Sequence, residues 1–86
     1  MDKQEQLEKL TQEYLKGLQA EEVYKYLKGL FEEYRKLLFE EWKTAHVDNY
    51  RNIKNQLKVV DQLEGLIISH IENGKLAEKE IEEIEK

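Results

Sequence analysis

The chain contains no cysteine and no proline, and only four of its 86 residues are glycine. The absence of cysteine excludes disulfides and thiolate metal sites. The absence of proline removes the strongest helix breaker, while the abundant Glu, Lys, Leu and Gln lose little rotamer freedom in a helix. Because so small a chain has a thin stability margin, helix packing or assembly with other chains has to supply what disulfides or metals do not.

Long apolar runs are missing as well. The longest are three residues, such as Leu66-Ile67-Ile68, whereas a membrane span needs about 20 apolar residues. The first residues, Met1 to Glu5, contain no apolar signal core. We therefore expect a cytoplasmic protein without a membrane partner.

The charge is acidic overall but unevenly distributed. A net charge of −5 argues against general nucleic-acid binding, which depends on neutralising phosphates. Residues 43–58 nevertheless carry four basic side chains against one acidic side chain, and residues 78–86 carry five glutamates against two lysines. A basic patch that binds an acidic partner and a simple solvated helix surface both explain this distribution.

Apolar periodicity predicts an all-α fold in a single domain, residues 1–86. The expected architecture is a long antiparallel helical hairpin with an additional N-terminal helix and a short C-terminal helix. The helices are expected at about 2–17, 20–44, 48–73 and 75–85.

Capping and breaking residues set these boundaries. Asp2 and Asp48 are the expected N-caps of the first and third helices, because their carboxylates can accept hydrogen bonds from unpaired N–H groups. Gly17 is interpreted as a break, since glycine costs a helix interior about 1 kcal/mol relative to alanine. Gly74 is interpreted as the left-handed residue that ends the third helix, and the hairpin turn is expected around His46.

The two long helices carry apolar stripes at helical spacing. The third helix has two apolar rows, which indicates more than one neighbour. The stripe of the second helix is Val23, Leu27, Leu30, Phe31, Tyr34, Leu37, Leu38 and Trp42, and the rows of the third are Tyr50, Ile53, Leu57, Val60, Ile67 and Ile71, and Val59, Leu63, Leu66 and His70.

No residue pattern indicates catalysis, a cofactor or a metal. Ser69 and His70 are adjacent on a helix and so do not face each other. His46 and Asp48 lie in the expected turn, and two possible ligands make a weak metal site. The glycines are isolated rather than clustered in a phosphate-binding loop. We expect a non-enzymatic protein with no catalytic, cofactor-binding or metal-binding residues.

Two glutamates interrupt the apolar stripes. A buried unpaired carboxylate is costly, so Glu41 and Glu64 should each have a partner or reach solvent. A hairpin folded about residues 46–47 puts Glu41 level with Arg51, and Glu64 level with Lys28. We predict a structural ion pair between Glu41 and Arg51.

Several apolar residues are left without an expected neighbour in the hairpin, which suggests an interface. Exposed apolar rows usually mark interaction surfaces, and symmetric self-association is the commonest way to cover them. We expect a homo-oligomer, a dimer or tetramer, although another protein could also be the partner. The candidate interface residues are Phe39, Val59, Leu63, Leu66, Ile68 and His70.

The pattern of spaced residues over residues 21–77 resembles small helical proteins of unassigned function encoded in tailed-bacteriophage genomes. The residues that carry the resemblance are Glu41-Trp42-Lys43-Thr44, Asp48, Arg51, Leu57, Leu63-Glu64 and Gly74-Lys75-Leu76-Ala77. The resemblance implies a virion-assembly part or accessory factor, located in the host cytoplasm or the virion. The alternatives are an inhibitor that binds a host protein and an oligomeric binder of a small ligand such as a nucleotide, with Arg51 and Lys54 lining its pocket.

Overall fold

The structure is a computed structural model that describes residues 2–86, and it consists of two helices. Helix α1 spans Lys3–Thr44 and helix α2 spans Val47–Glu85. Ala45 and His46 connect them in extended conformation, and the described residues contain no strand. At about 1.5 Å per residue, a 42-residue helix is about 63 Å long. This length matches the longest dimension of the molecule, which measures 60 × 23 × 14 Å. The predicted all-α hairpin is confirmed.

The predicted extra helices at the two ends of the chain are not separate elements. Helix α1 continues through Gly17, and helix α2 continues through Gly74. Neither glycine has a positive φ, so the prediction of a left-handed helix end at Gly74 is wrong. Both glycines are buried against each other: a Cβ added to Gly17 would lie 2.6 Å from Gly74 Cα. They allow the two helix backbones to approach closely and do not break either helix.

One of the two predicted caps is confirmed. The Asp2 carboxylate accepts hydrogen bonds from the backbone N–H groups of Gln4 at 2.7 Å and Glu5 at 3.1 Å. At the turn, however, His46 is the N-cap of α2, and its side chain makes no capping hydrogen bond. Asp48 lies inside the first turn of α2, where a negative charge still favours the positive end of the helix dipole.

The two helices run antiparallel in a constant register. Gly17 lies against Gly74, and the rings of Trp42 and Tyr50 stack with centroids 4.9 Å apart. These pairs, whose residue numbers add to 91 and 92, place residue n of α1 level with about residue 91 − n of α2. The same rule pairs Leu38 with Ile53, and Leu38 is the largest fully buried side chain in residues 2–86.

The core between the helices is thin. Only four apolar side chains within residues 2–86 are buried, namely Leu38, Ile53, Val60 and Ala77. The accessible surface is 7093 Å², whereas a compact monomer of 10.4 kDa exposes about 5400 Å². The hairpin therefore leaves much of its apolar surface in contact with water.

Candidate functional site

The two broad faces of the flat hairpin differ in chemistry. Side chains that alternate at three- and four-residue spacing lie on one side of a helix, so each helix contributes one row to each face. One face carries an ion-pair cluster centred on Arg35, and we call it the polar face. The other carries exposed apolar side chains, and we call it the apolar face.

The polar face is organised by a guanidinium that links the helices. Arg35 Nη2 lies 2.9 Å from Asp61 Oδ1 and 2.8 Å from Glu64 Oε1, and its Nε donates a second hydrogen bond to Asp61. The Tyr24 hydroxyl donates to the other Glu64 oxygen at 3.0 Å. Because the Glu64 side chain is only 19% exposed, these donors offset much of the cost of desolvating its charge.

The cluster shifts the pKa values of its members in the directions that its hydrogen bonds dictate. The Arg35 guanidinium, as the main cause, lowers the pKa of the Glu64 carboxyl, and the Tyr24 hydroxyl and the charge of Lys28 act in the same direction. The pKa of Tyr24 is raised, mainly because its hydroxyl donates a hydrogen bond to Glu64. The cluster is therefore held with Glu64 charged and Tyr24 neutral, which suits a structural role.

The two glutamates that interrupt the apolar stripes, Glu41 and Glu64, have different surroundings in the structure. Glu64 has partners, as its position in an apolar stripe requires, and the cation that pairs with it directly is Arg35, whereas Lys28, which the hairpin places level with it, acts through its charge. The predicted pair of Glu41 with Arg51 is not formed: both residues are exposed, and the ion pairs within residues 2–86 join other residues. Glu41 therefore lies free in solvent at the edge of the apolar face.

The apolar face contains an open groove of ≈ 640 Å³ between the helices. Leu30, Tyr34 and Leu37 line it from α1, and Val59 and Leu63 line it from α2. A second groove of ≈ 350 Å³ extends the face toward the open end of the hairpin, between Val23 and His70. The seven exposed apolar side chains of this face are Val23, Leu30, Tyr34, Leu37, Val59, Leu63 and Leu66.

Amides border this apolar surface on α2. Gln56 accepts a hydrogen bond from the Tyr34 hydroxyl at 3.0 Å across the groove, and Asn55 also lines the groove. Asn52 lines a small pocket beside Glu41 near the turn. Because uncharged amides cost much less to desolvate than charged groups do, this border is compatible with burial in an interface.

All six residues predicted as an interface are exposed, but they do not form one surface. Val59, Leu63, Leu66 and His70 follow each other at helical spacing on the apolar face. Phe39 lies one turn beyond Arg35, with the Lys43 ammonium 5.1 Å from its ring centroid, and Ile68 lies one turn beyond Glu64. Both therefore belong to the polar face.

Sequence reasoning missed the contribution of α1 to the apolar face. It placed Leu30 and Tyr34 in the apolar stripe of the second predicted helix and not among the interface residues, but these side chains are 46% and 43% exposed. Val23 and Leu37 are also largely exposed. The available signal was the width of the α1 stripe, because a partner helix covers only a narrow strip of a broad apolar stripe.

Ser69 and His70, which are adjacent in the sequence, have separate surroundings in the structure. The Ser69 hydroxyl donates to the Gly65 carbonyl of its own helix at 2.9 Å, and His70 is exposed at the rim of the second groove. Within residues 2–86, no group of three or more His, Cys, Asp or Glu side chains is arranged to hold a metal ion. Neither helix has an apolar stretch sufficient to span a membrane in the part of the chain described.

No protein-family model matches the chain, and neither a curated protein nor a solved structure shows significant similarity to it.

Proposed function

We propose that this protein is non-enzymatic and acts by self-association and protein binding through its apolar face. The observation that carries the proposal is a set of seven large apolar side chains, each more than two-fifths exposed, in two neighbouring rows on one side of the hairpin. Contiguous exposed apolar patches of this kind mark protein interfaces. Association would gain a free energy of about 25 cal/mol for each Å² of apolar surface that it removes from water.

In this proposal the two faces have different roles, and the polar face stabilises the hairpin. Arg35 joins α1 to two carboxylates of α2 and so holds the hairpin together on the side away from the apolar face. An assembled hairpin would bury its apolar face and keep the charged side chains of its polar face in solvent.

Two biological roles fit a binding protein of this kind. The resemblance to small helical proteins of tailed phages supports a role as a virion-assembly or accessory structural factor. An inhibitor of a host protein would use the same face on a different partner. Purified virions that contain the protein support the assembly role, whereas a stoichiometric complex with one host protein supports the inhibitor role.

A nucleotide-binding role has less support. The basic residues Arg51 and Lys54 are exposed, and neither lines the grooves of the apolar face. The groove at its centre is bordered mainly by apolar side chains, which offer a phosphate no charged partner.

A pair of matched charge insertions tests the role of the apolar face. Leu63 lies in the groove and Leu15 lies on the outer surface of α1, and both are about half exposed. Leu63→Lys should abolish self-association, because it places a charge in the centre of the apolar face. Leu15→Lys should leave self-association intact. Sedimentation equilibrium at micromolar concentration measures both. A wild-type protein that is a monomer of 10.4 kDa would overturn the proposed self-association.

A further inference from the structure

We propose that the apolar face binds a second copy of the same chain with the two hairpins antiparallel, so that Lys16 of each copy faces Glu41 of the other. This inference rests on the proposed function and specifies its partner. In the resulting four-helix dimer, α1 packs on α1 of the second copy and α2 packs on α2.

The size of the exposed surface fits a dimer. The chain exposes about 1700 Å² more than a compact monomer of its mass does. A standard stable interface buries about 800 Å² on each partner. One face-to-face contact can therefore remove about half of the excess or more.

The α1 row of the apolar face has nearly the same pattern of residues in both directions along the helix, except that its two ends carry opposite charges. Six uncharged residues lie between a cation at one end and an anion at the other. When this row is laid antiparallel on itself about the midpoint between Leu27 and Leu30, each charged end meets its opposite. The row is Lys16, Ala20, Val23, Leu27, Leu30, Tyr34, Leu37 and Glu41.

The two charges lie on this face in the structure. Lys16 lines the second groove together with Val23 and His70, and Glu41 lines the pocket near the turn together with Asn52. Both are exposed. The placement also explains why a carboxylate interrupts the apolar stripe at Glu41, although no cation of its own chain pairs with it in the described residues.

The α2 row has the same symmetry. Three apolar residues centred on Leu63 are followed in each direction by two polar residues. Antiparallel superposition pairs Val59 with Leu66, and an asparagine with an asparagine at the two ends. The row is Asn52, Gln56, Val59, Leu63, Leu66, His70 and Asn73.

The centres of the two rows coincide in the folded hairpin. Leu63 is level with residue 28 in the register defined by the contact of Gly17 with Gly74, and the α1 row is centred between Leu27 and Leu30. A single two-fold axis through this level therefore relates both rows to themselves, as an interface made by identical patches requires.

A parallel dimer does not use these features. A two-fold axis along the hairpin would pack α1 against α2 of the second copy. Lys16 would then lie beside Asn73, and Glu41 would lie beside Asn49 and Asn52, so neither charge would have an opposite partner.

A charge-reversal cycle tests the antiparallel arrangement. Lys16 and Glu41 are 25 residues apart on one helix, or about 38 Å, so any coupling between them has to be intermolecular. Lys16→Glu and Glu41→Lys should each raise the dimer dissociation constant by about tenfold, since each breaks two symmetric pairs of modest strength. The double variant should restore it to within about threefold of wild type. High salt should reduce the effect of each single reversal.

A distance measurement provides a second test that does not depend on the charges. The chain has no cysteine, so Val47→Cys at the exposed start of α2 accepts a single spin label per copy. In the antiparallel dimer the two labels lie about 45–50 Å apart along the hairpin axis, and pulsed electron paramagnetic resonance measures this range.

The outcomes separate this inference from the proposed function. A dimer that dissociates on Leu63→Lys but shows no rescue in the double variant, or a label separation below about 30 Å, overturns the antiparallel arrangement alone. A wild-type monomer overturns both. Rescue in the double variant together with the long label separation supports both.

Discussion

At the scale of single residues, the glycines of this chain have two different environments. Gly17 has backbone atoms of α2 where a Cβ would lie, the nearest at 2.6 Å, whereas Gly29 has nothing within 4 Å. A helix interior favours alanine over glycine by about 1 kcal/mol in both places. The local packing therefore decides the sign of a glycine substitution.

We expect Gly17→Ala to destabilise the hairpin by about 1–3 kcal/mol, because backbone cannot move aside as a flexible side chain can. Gly29→Ala is the matched control and should stabilise it by up to about 1 kcal/mol. Urea unfolding, monitored by circular dichroism at one protein concentration, measures both. Equal stabilisation by the two substitutions would contradict the close contact of Gly17 with Gly74.

The polar face makes stability dependent on pH through Glu64. Its pKa is lowered in the folded chain, mainly by Arg35, below the value of about 4.3 in an unfolded chain. The contribution is therefore present above pH 4.3 and is lost as the pH falls through the folded pKa.

Glu64→Gln should cost about 1 kcal/mol at pH 7, as expected for a partly exposed ion pair. The difference from wild type should shrink progressively as the pH falls below about 4.3. Urea unfolding across a series of acidic pH values checks this, with Glu22→Gln as the exposed control. A cost that does not change at any acidic pH at which the hairpin is still folded would argue against the charge of Glu64 as its source.

At the scale of the helices, stability depends on very few buried side chains. Leu38 is only 2% exposed and lies level with Ile53. Leu38→Ala should therefore destabilise the chain by about 2–5 kcal/mol, because it removes transfer free energy and leaves a cavity. Leu15→Ala, on the outer surface of the same helix, should change stability by less than about 0.5 kcal/mol. Similar effects of the two substitutions in urea unfolding would exclude the observed orientation of α1.

At the scale of the whole molecule, the exposed apolar face connects stability to assembly. If folding is completed by a second copy, the free energy of association adds to that of the hairpin. The melting temperature should therefore rise with protein concentration between about 1 and 100 µM, as measured by circular dichroism. The Leu63→Lys variant should melt at a lower temperature that does not depend on concentration.

The amino-acid sequence alone determined the helical content, the Asp2 cap, the position of the turn and the antiparallel pairing of two long helices. Each follows from local propensity or from the period of apolar residues, both of which are visible in the sequence. It also indicated that Val59, Leu63, Leu66 and His70 lack neighbours within the chain, since α2 has more apolar rows than one hairpin partner can cover.

The roles of Gly17, Gly74 and Glu64 depend on how the two helices pack against each other and are not visible in the local sequence. A glycine in a sequence predicts a helix break because its unfavourable helix propensity is known. Its stabilising effect at a close contact between helices depends instead on a residue 57 positions away. The partner of Glu64 was likewise set by the register of the two helices and by the reach of the Arg35 side chain across their contact. Spatial neighbours far apart in the chain decide both features, and the local pattern of a single helix does not contain them.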